Sequence, residues 1–228
     1  MRRVTHIILS VVVMVAAIAA PSPVLAACNP GRTNQARLGF AGTEGTPTNT
    51  PTGVRAAIEE YNPYVANNSE VHAWVMLNRG QTRYAQIGWI DDDFNNTESR
   101  FVFEQHQTDE GVGVTNFYPP HTVGTSPTYQ QLYDPATRTF RMIDNGQEAF
   151  RTIMNWVPTT YQIYGETHAR SDQMPGGFNS PMSFTNTQYR LGGAWFSLTS
   201  AAGVSHPEYG ARRVSSLHYD IWDKACAS

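Results

Sequence analysis

Cysteine and lysine are nearly absent. Only Cys28, Cys226 and one lysine, Lys224, occur in 228 residues. Two cysteines so far apart cannot form a zinc finger, which needs closely spaced ligand pairs. The scarcity of lysine and a net charge of −3 leave no basic stripe to release counterions from a phosphate backbone, so no nucleic-acid partner is expected. The seven histidines include no His-Glu-x-x-His pair, and no Gly-x-Ser-x-Gly elbow is present. The chain has no internal repeat, charge block or low-complexity tract. After the first residues no run is apolar enough to cross a bilayer.

Those first residues have the layout of a secretory signal. Arg2-Arg3 is a basic start, Ile7 to Ala20 an apolar stretch, and Val24-Leu25-Ala26 a small-residue cleavage pattern. Residues 1–26 are therefore read as a signal peptide, cleaved after Ala26 or Ala27, and the product as secreted. Both signal arginines leave with it. The remainder carries 14 basic and 19 acidic side chains, a net of −5. Cys28 and Cys226 then lie near the two ends of the mature chain, where an oxidising compartment favours a disulfide between them. A second reading stays open. Leu25-Ala26-Ala27-Cys28 resembles a bacterial lipobox, which would make Cys28 a lipid anchor and leave Cys226 unpaired.

The remaining 200 or so residues suffice for one domain with a real core. Residues 27–70 read as an irregular N-terminal segment, rich in Gly, Thr, Asn and Pro, that joins the domain of residues 71–228. Within it, Val54 to Tyr61 has helical spacing stopped by Pro63, or is a short strand. From Val71 onward short strand patterns recur: 71–77, 84–90, 100–106, 128–134, 139–143, 160–168, 181–186, 194–199 and 215–222. Turn clusters such as Asn78-Arg79-Gly80, Asp91-Asp92-Asp93 and Asp144-Asn145-Gly146 separate them. This pattern predicts an all-β antiparallel sandwich or barrel. Phe150, Ile153, Met154 and Val157 have helical spacing, so one or two short helices are expected among the strands.

A side-chain period of two assigns faces. In 160–168, Tyr161, Ile163 and Gly165 share one face, and Gln162, Tyr164, Glu166 and His168 the other. In 84–90, Gln86 shares a face with Tyr84 and Gly88, and Gly88 would let a ligand approach the sheet closely. Glu166 among Tyr164 and His168 is a candidate proton-transfer carboxylate, or an ordinary sheet-face acid. Gln86 in an apolar run must satisfy both ends of its amide, either on a neighbouring strand or on a reacting oxyanion. Glu104 is a second groove carboxylate or a residue on a wet edge. Glu166-Thr167-His168 offers two ligand types on one face, too few for a zinc site, and no metal is expected. Asp91 to Asn96 lacks the spacing of a calcium loop and reads as an acidic turn. The tyrosines and tryptophans are equally suited to packing and to stacking on a glycan.

The order of several segments resembles the glutamic peptidases known as eqolisins. Those segments are Ala73-Trp74-Val75-Met76-Leu77, Gln86-Ile87-Gly88-Trp89, Phe103-Glu104-Gln105, Gln162-Ile163-Tyr164-Gly165-Glu166 and Met182-Ser183-Phe184-Thr185-Asn186. The plant neprosin-like enzymes share a related pattern. The resemblance spans residues 70 to 190. It departs at Tyr164-Gly165, where the family has Ile-Val, and at Gln105, where it has Trp. It implies a concanavalin-like jelly-roll sandwich and an acid endopeptidase needing no cofactor. Gln86 and Glu166 would be the catalytic dyad, with Trp74, Tyr84, Glu104, Tyr164 and His168 about the groove. A polypeptide is then the expected substrate and a monomer the expected state. The alternative is a non-catalytic sandwich holding a glycan in the same groove.

Overall fold

The computed structural model describes residues 27–32, 36–80, 82–94 and 97–226, so the signal-peptide reading falls outside it. Fifteen strands and no helix occur among the described residues. They are β1 (Ala36–Gly45), β2 (Gly53–Ile58), β3 (Glu70–Asn78), β4 (Tyr84–Phe94), β5 (Thr97–Gln107), β6 (Gly113–Tyr118), β7 (Thr128–Asp134), β8 (Thr139–Asp144), β9 (Gln147–Ile153), β10 (Thr160–Ala169), β11 (Met182–Leu191), β12 (Ala194–Ser197), β13 (Gly203–Val204), β14 (Tyr209–Ser215) and β15 (His218–Asp223). One sheet runs β13-β1-β10-β3-β4-β5-β6 and the other β14-β15-β11-β2-β7-β8-β9, with β12 added beside β11. Every strand pairing is antiparallel. The expected antiparallel β-sandwich is what the chain forms.

Alternation along the strands builds the core. Val71, Ala73, Val75 and Leu77 of β3, Ala85, Ile87 and Trp89 of β4, and Tyr161 and Ile163 of β10 point between the sheets. They meet Val54, Ala56 and Ile58 of β2 and Tyr129, Phe140, Phe184 and Ile221 of the second sheet. Burial of these side chains is the main drive to fold. Trp74, Met76, Ile90 and Phe103 form a smaller cluster on the outer face of the seven-stranded sheet. Phe40, Tyr84, Phe101 and Tyr164 pack half-buried against it.

Three local readings change. Of the two readings of Val54 to Tyr61 the strand holds, as β2 up to Ile58, and β1 and β2 both lie in the stretch read as irregular. Phe150 to Ile153 is strand β9, because Asn145 (φ 45°) and Gly146 (φ 84°) make a two-residue hairpin turn between Asp144 and Gln147. That turn chemistry matches the strand twist and overrides a helical spacing of four apolar residues. Asp91 to Asp93 continue β4 rather than turning, since Asp91 pairs with Val71 and Arg100, and Asp92 with Glu70 and Ser99.

Cys28 and Cys226 form a disulfide. It takes up the thiol that a lipid anchor at Cys28 would use. With no helix among the described residues, none is long and apolar enough to cross a membrane.

Candidate active site

The outer face of the seven-stranded sheet collects most of the predicted residues. Central strands β10, β3 and β4 present Tyr164 and Glu166, Trp74, and Tyr84 and Gln86 on that one side. Alternation groups Tyr164 with Glu166 and Tyr84 with Gln86 within their own strands, and the register brings the groups together. Tyr164 packs edge-on against Trp74 at 5.6 Å and against Phe40 at 5.9 Å between ring centroids.

Glu166 is 9% exposed, and each carboxylate oxygen has a donor. Trp74 Nε1 donates to Oε2 at 2.7 Å, and His168 Nε2 lies 3.1 Å from Oε1. Burial pushes this carboxyl up, but the His168 hydrogen bond, the charges of His72 and His168 and the Trp74 indole outweigh it. Its pKa lies below the ordinary value. Burial likewise disfavours the His168 imidazolium, but Glu166 and Glu70 more than compensate and push its pKa up to about 10. Glu70 lies below the carboxylate range, its own burial outweighed by His168 and His72.

Gln86, 5% exposed, belongs to a different cluster. Its Nε2 donates to Gln105 Oε1 at 2.8 Å, and Gln105 Nε2 donates to Thr115 Oγ1 at 3.0 Å. This amide chain runs outward across β5 and β6, away from Glu166. Register explains the parting. Gln86 pairs with Met76, which pairs with Gln162, whereas Glu166 pairs with His72, which pairs with Ile90. The dyad is two strands apart and four residues out of line. That is about 10 Å across the sheet and about 13 Å along it. The two share a face, but they do not converge on one water.

Glu104 is not in the groove. It pairs with the inward-facing Ile87, so it points between the sheets and is fully buried. There it meets His106 Nδ1 at 2.5 Å and accepts from Asn116 Nδ2 at 2.8 Å. His106 stacks on Phe150 of the opposite sheet. Gly88 also has a different purpose. A Cβ there would sit 1.9 Å from the Ala73 carbonyl oxygen, so the missing side chain admits strand β3, not a ligand.

Glu70 and His72 were missed by sequence reasoning. They lie on β3 beside Glu166 and His168 of β10. His168 Nδ1 is 3.0 Å and His72 Nε2 3.5 Å from Glu70 Oε1, and His72 Nδ1 is 4.0 Å from Glu166 Oε2. The legible signal was a repeated Glu-x-His, Glu70-Val71-His72 and Glu166-Thr167-His168, each placing its pair on one strand face. Asp172 was missed as well. Its buried carboxylate accepts from the backbone of Ala66, His168 and Ala169 and from the Ser69 hydroxyl. It thereby fixes the corners that lead into β3 and out of β10.

A two-sheet antiparallel sandwich carrying a buried acid among aromatic side chains is the class this geometry defines. The chain matches no protein-family model and no curated protein. Among solved structures, scytalido-glutamic peptidase with a transition-state analogue inhibitor superposes with a TM-score of 0.55 at 12% identity. The match covers 84% of this chain and 100% of that one. SCP-B, a member of the eqolisin family of peptidases in complex with the tripeptide Ala-Ile-His, superposes with a TM-score of 0.57 at 14% identity and the same coverage. At these identities the likeness establishes a shared fold, that of glutamic peptidases.

Proposed function

We propose that the protein is an extracellular peptidase of the glutamic type, and that Glu166 is its proton-transfer group. Glu166 would take a proton from an attacking water and return it to the leaving amine. The observation that carries the reading is the setting of Glu166: a low-lying carboxylate, oriented on both oxygens, on an aromatic face of a peptidase sandwich. Gln86 would serve as a binding amide further along the groove, not as the oxyanion partner, because its amide is committed to Gln105. The oxyanion donor would come from beside Glu166, where His72 has ring nitrogens without hydrogen-bond partners. The apolar leader and the Cys28–Cys226 disulfide support an oxidising, extracellular setting.

The test is hydrolysis of a denatured protein by wild type and two variants at about pH 3 to 5, a carboxyl's own range. Glu166→Gln is expected to lower kcat/KM by roughly 10²- to 10⁴-fold. Gln86→Ala is expected to change it by about tenfold or less, mainly through KM. Wild-type-like rates in Glu166→Gln would discard the mechanism. The turning of Gln86 away from Glu166 favours a second reading, a glycan-holding module using Trp74 and Tyr164. Saturable glycan binding with no proteolysis at any pH would select it.

A further inference from the structure

We propose that Glu70, His72 and His168 form a binding site for one divalent transition-metal ion of the zinc class. The side-chain ligand atoms of these residues all lie within 4.8 Å of one another. Glu70 Oε1 is 3.0 Å from His168 Nδ1 and 3.5 Å from His72 Nε2. Zinc bonds of about 2.0–2.1 Å in a tetrahedron put neighbouring ligand atoms about 3.3 Å apart. Both separations from Glu70 Oε1 are near that spacing, and rotation of the two imidazoles within the 4.8 Å cluster would bring all three ligand atoms onto one ion.

His72 is the independent observation. It is 4% exposed, and neither ring nitrogen makes a hydrogen bond of good geometry, the facing acceptors being Glu70 Oε1 at 3.5 Å and Glu166 Oε2 at 4.0 Å. An imidazole buried with both nitrogens unsatisfied is costly, and a metal bond at one nitrogen removes much of that cost. The surroundings match the chemistry of such a site. A ligating histidine usually donates its other N–H to a carboxylate, and His168 Nε2 lies 3.1 Å from Glu166 Oε1, itself held by Trp74. Asp172 fixes the backbone of His168. Asp92, the cross-strand neighbour of Glu70, adds a third carboxylate to Glu70 and Glu166. Two imidazoles and one carboxylate are ligands that zinc and its neighbours accept.

Three protein ligands leave one position open, the arrangement of a catalytic site rather than a closed structural one. A pocket of about 330 Å³ opens at Glu70 and His168, bordered by Ser69 and Phe94, and gives an ion and a water a way in. Bound there, the metal would supply a polarised water on the face that carries Glu166. The inference goes beyond the peptidase reading and does not rest on it, since occupancy is measured without a substrate.

The experiment uses the full disulfide-bonded protein stripped with a chelator, then titrated calorimetrically with Zn²⁺ and weighed for bound metal after desalting. One ion per chain and a higher Tm in its presence are expected. Glu70→Gln and His72→Ala should each weaken binding by at least about tenfold to a hundredfold, while His218→Ala, on the other sheet, should leave it unchanged. Each variant's circular dichroism and metal-free melting are recorded beside the titration. If a variant does not fold, visible absorption of Co²⁺ bound to the wild type decides, through the intensity expected of a four-coordinate nitrogen and oxygen site. Binding that is equally strong in folded His72→Ala, less than a tenth of an equivalent in wild type (a threshold of roughly 0.1 ion per chain), or a six-coordinate cobalt spectrum would overturn the proposal.

Discussion

Glu166 depends on Trp74 as much as on its own strand. The indole N–H donates to Oε2 at 2.7 Å inside a nearly closed cluster. Trp74→Phe keeps most of the packing and removes only that donor. A hydrogen bond to a charged group contributes about 1.5–3 kcal/mol, so denaturant unfolding should show a loss of that size. A loss near zero would mean that water replaces the indole and that Glu166 is more open than its burial indicates. Single residues were legible in proportion to how far alternation alone determines their surroundings. Gln86, Tyr164 and Glu166 were assigned to the right face because a period of two needs no partner. Glu104 was misplaced because the choice of face on 100–106 depends on which residue of β4 lies opposite. Glu70 and His72 were passed over because their meaning comes from β10, which joins β3 only after some 90 residues of intervening chain.

At the level of the strand, β4 is held by close contact as well as by hydrogen bonds. Gly88 faces β3 so tightly that a Cβ would meet the Ala73 carbonyl oxygen at 1.9 Å and Trp74 Cα at 2.7 Å. Both are backbone atoms that cannot swing aside. Gly88→Ala must therefore push β3 and β4 apart in the middle of the sheet. The expected cost is about 1–3 kcal/mol or more, read as a lower Tm, with weakened docking of Trp74 and Glu166. An unchanged Tm would show that the two strands have slack at that point. The existence of these strands was plain from short apolar alternations and turn residues. Their pairing was not. Sequence spacing fixes neither the neighbour of a strand nor its offset. An offset of four residues is what separates Gln86 from Glu166, although both lie on the face expected of them. Ile153, exposed on β9, and Phe150, turned toward His106, likewise mimicked a helical period that the Asn145-Gly146 turn cancels.

Across the whole molecule, the two sheets are joined differently at different places. Glu60 accepts from Tyr129 Oη of the eight-stranded sheet and from Arg100 Nη2 of the seven-stranded sheet, a buried bridge between layers. Elsewhere the N-terminal strap carries the disulfide to Cys226, the Cys28 backbone donates to Gln173, and Arg32 pairs with Asp223. The disulfide spans a sequence separation of 198, so in the chain-entropy account it restricts the unfolded state by about 5 kcal/mol. Measured values for native disulfides fall at about 2–5 kcal/mol. Replacing both cysteines by serine should thus lower Tm by roughly 4–20 °C for a domain of this size. Well below that Tm the outer face should be unaffected, since neither cysteine reaches it and Asp172 holds the β3 and β10 corners with its own hydrogen bonds. Hydrolysis or metal uptake measured at about 25 °C would then match wild type. If either were lost while the circular dichroism stayed native, the strap would be positioning the Asp172–Gln173 corner. In that case the groove would depend on the chain termini as well as on the sheet.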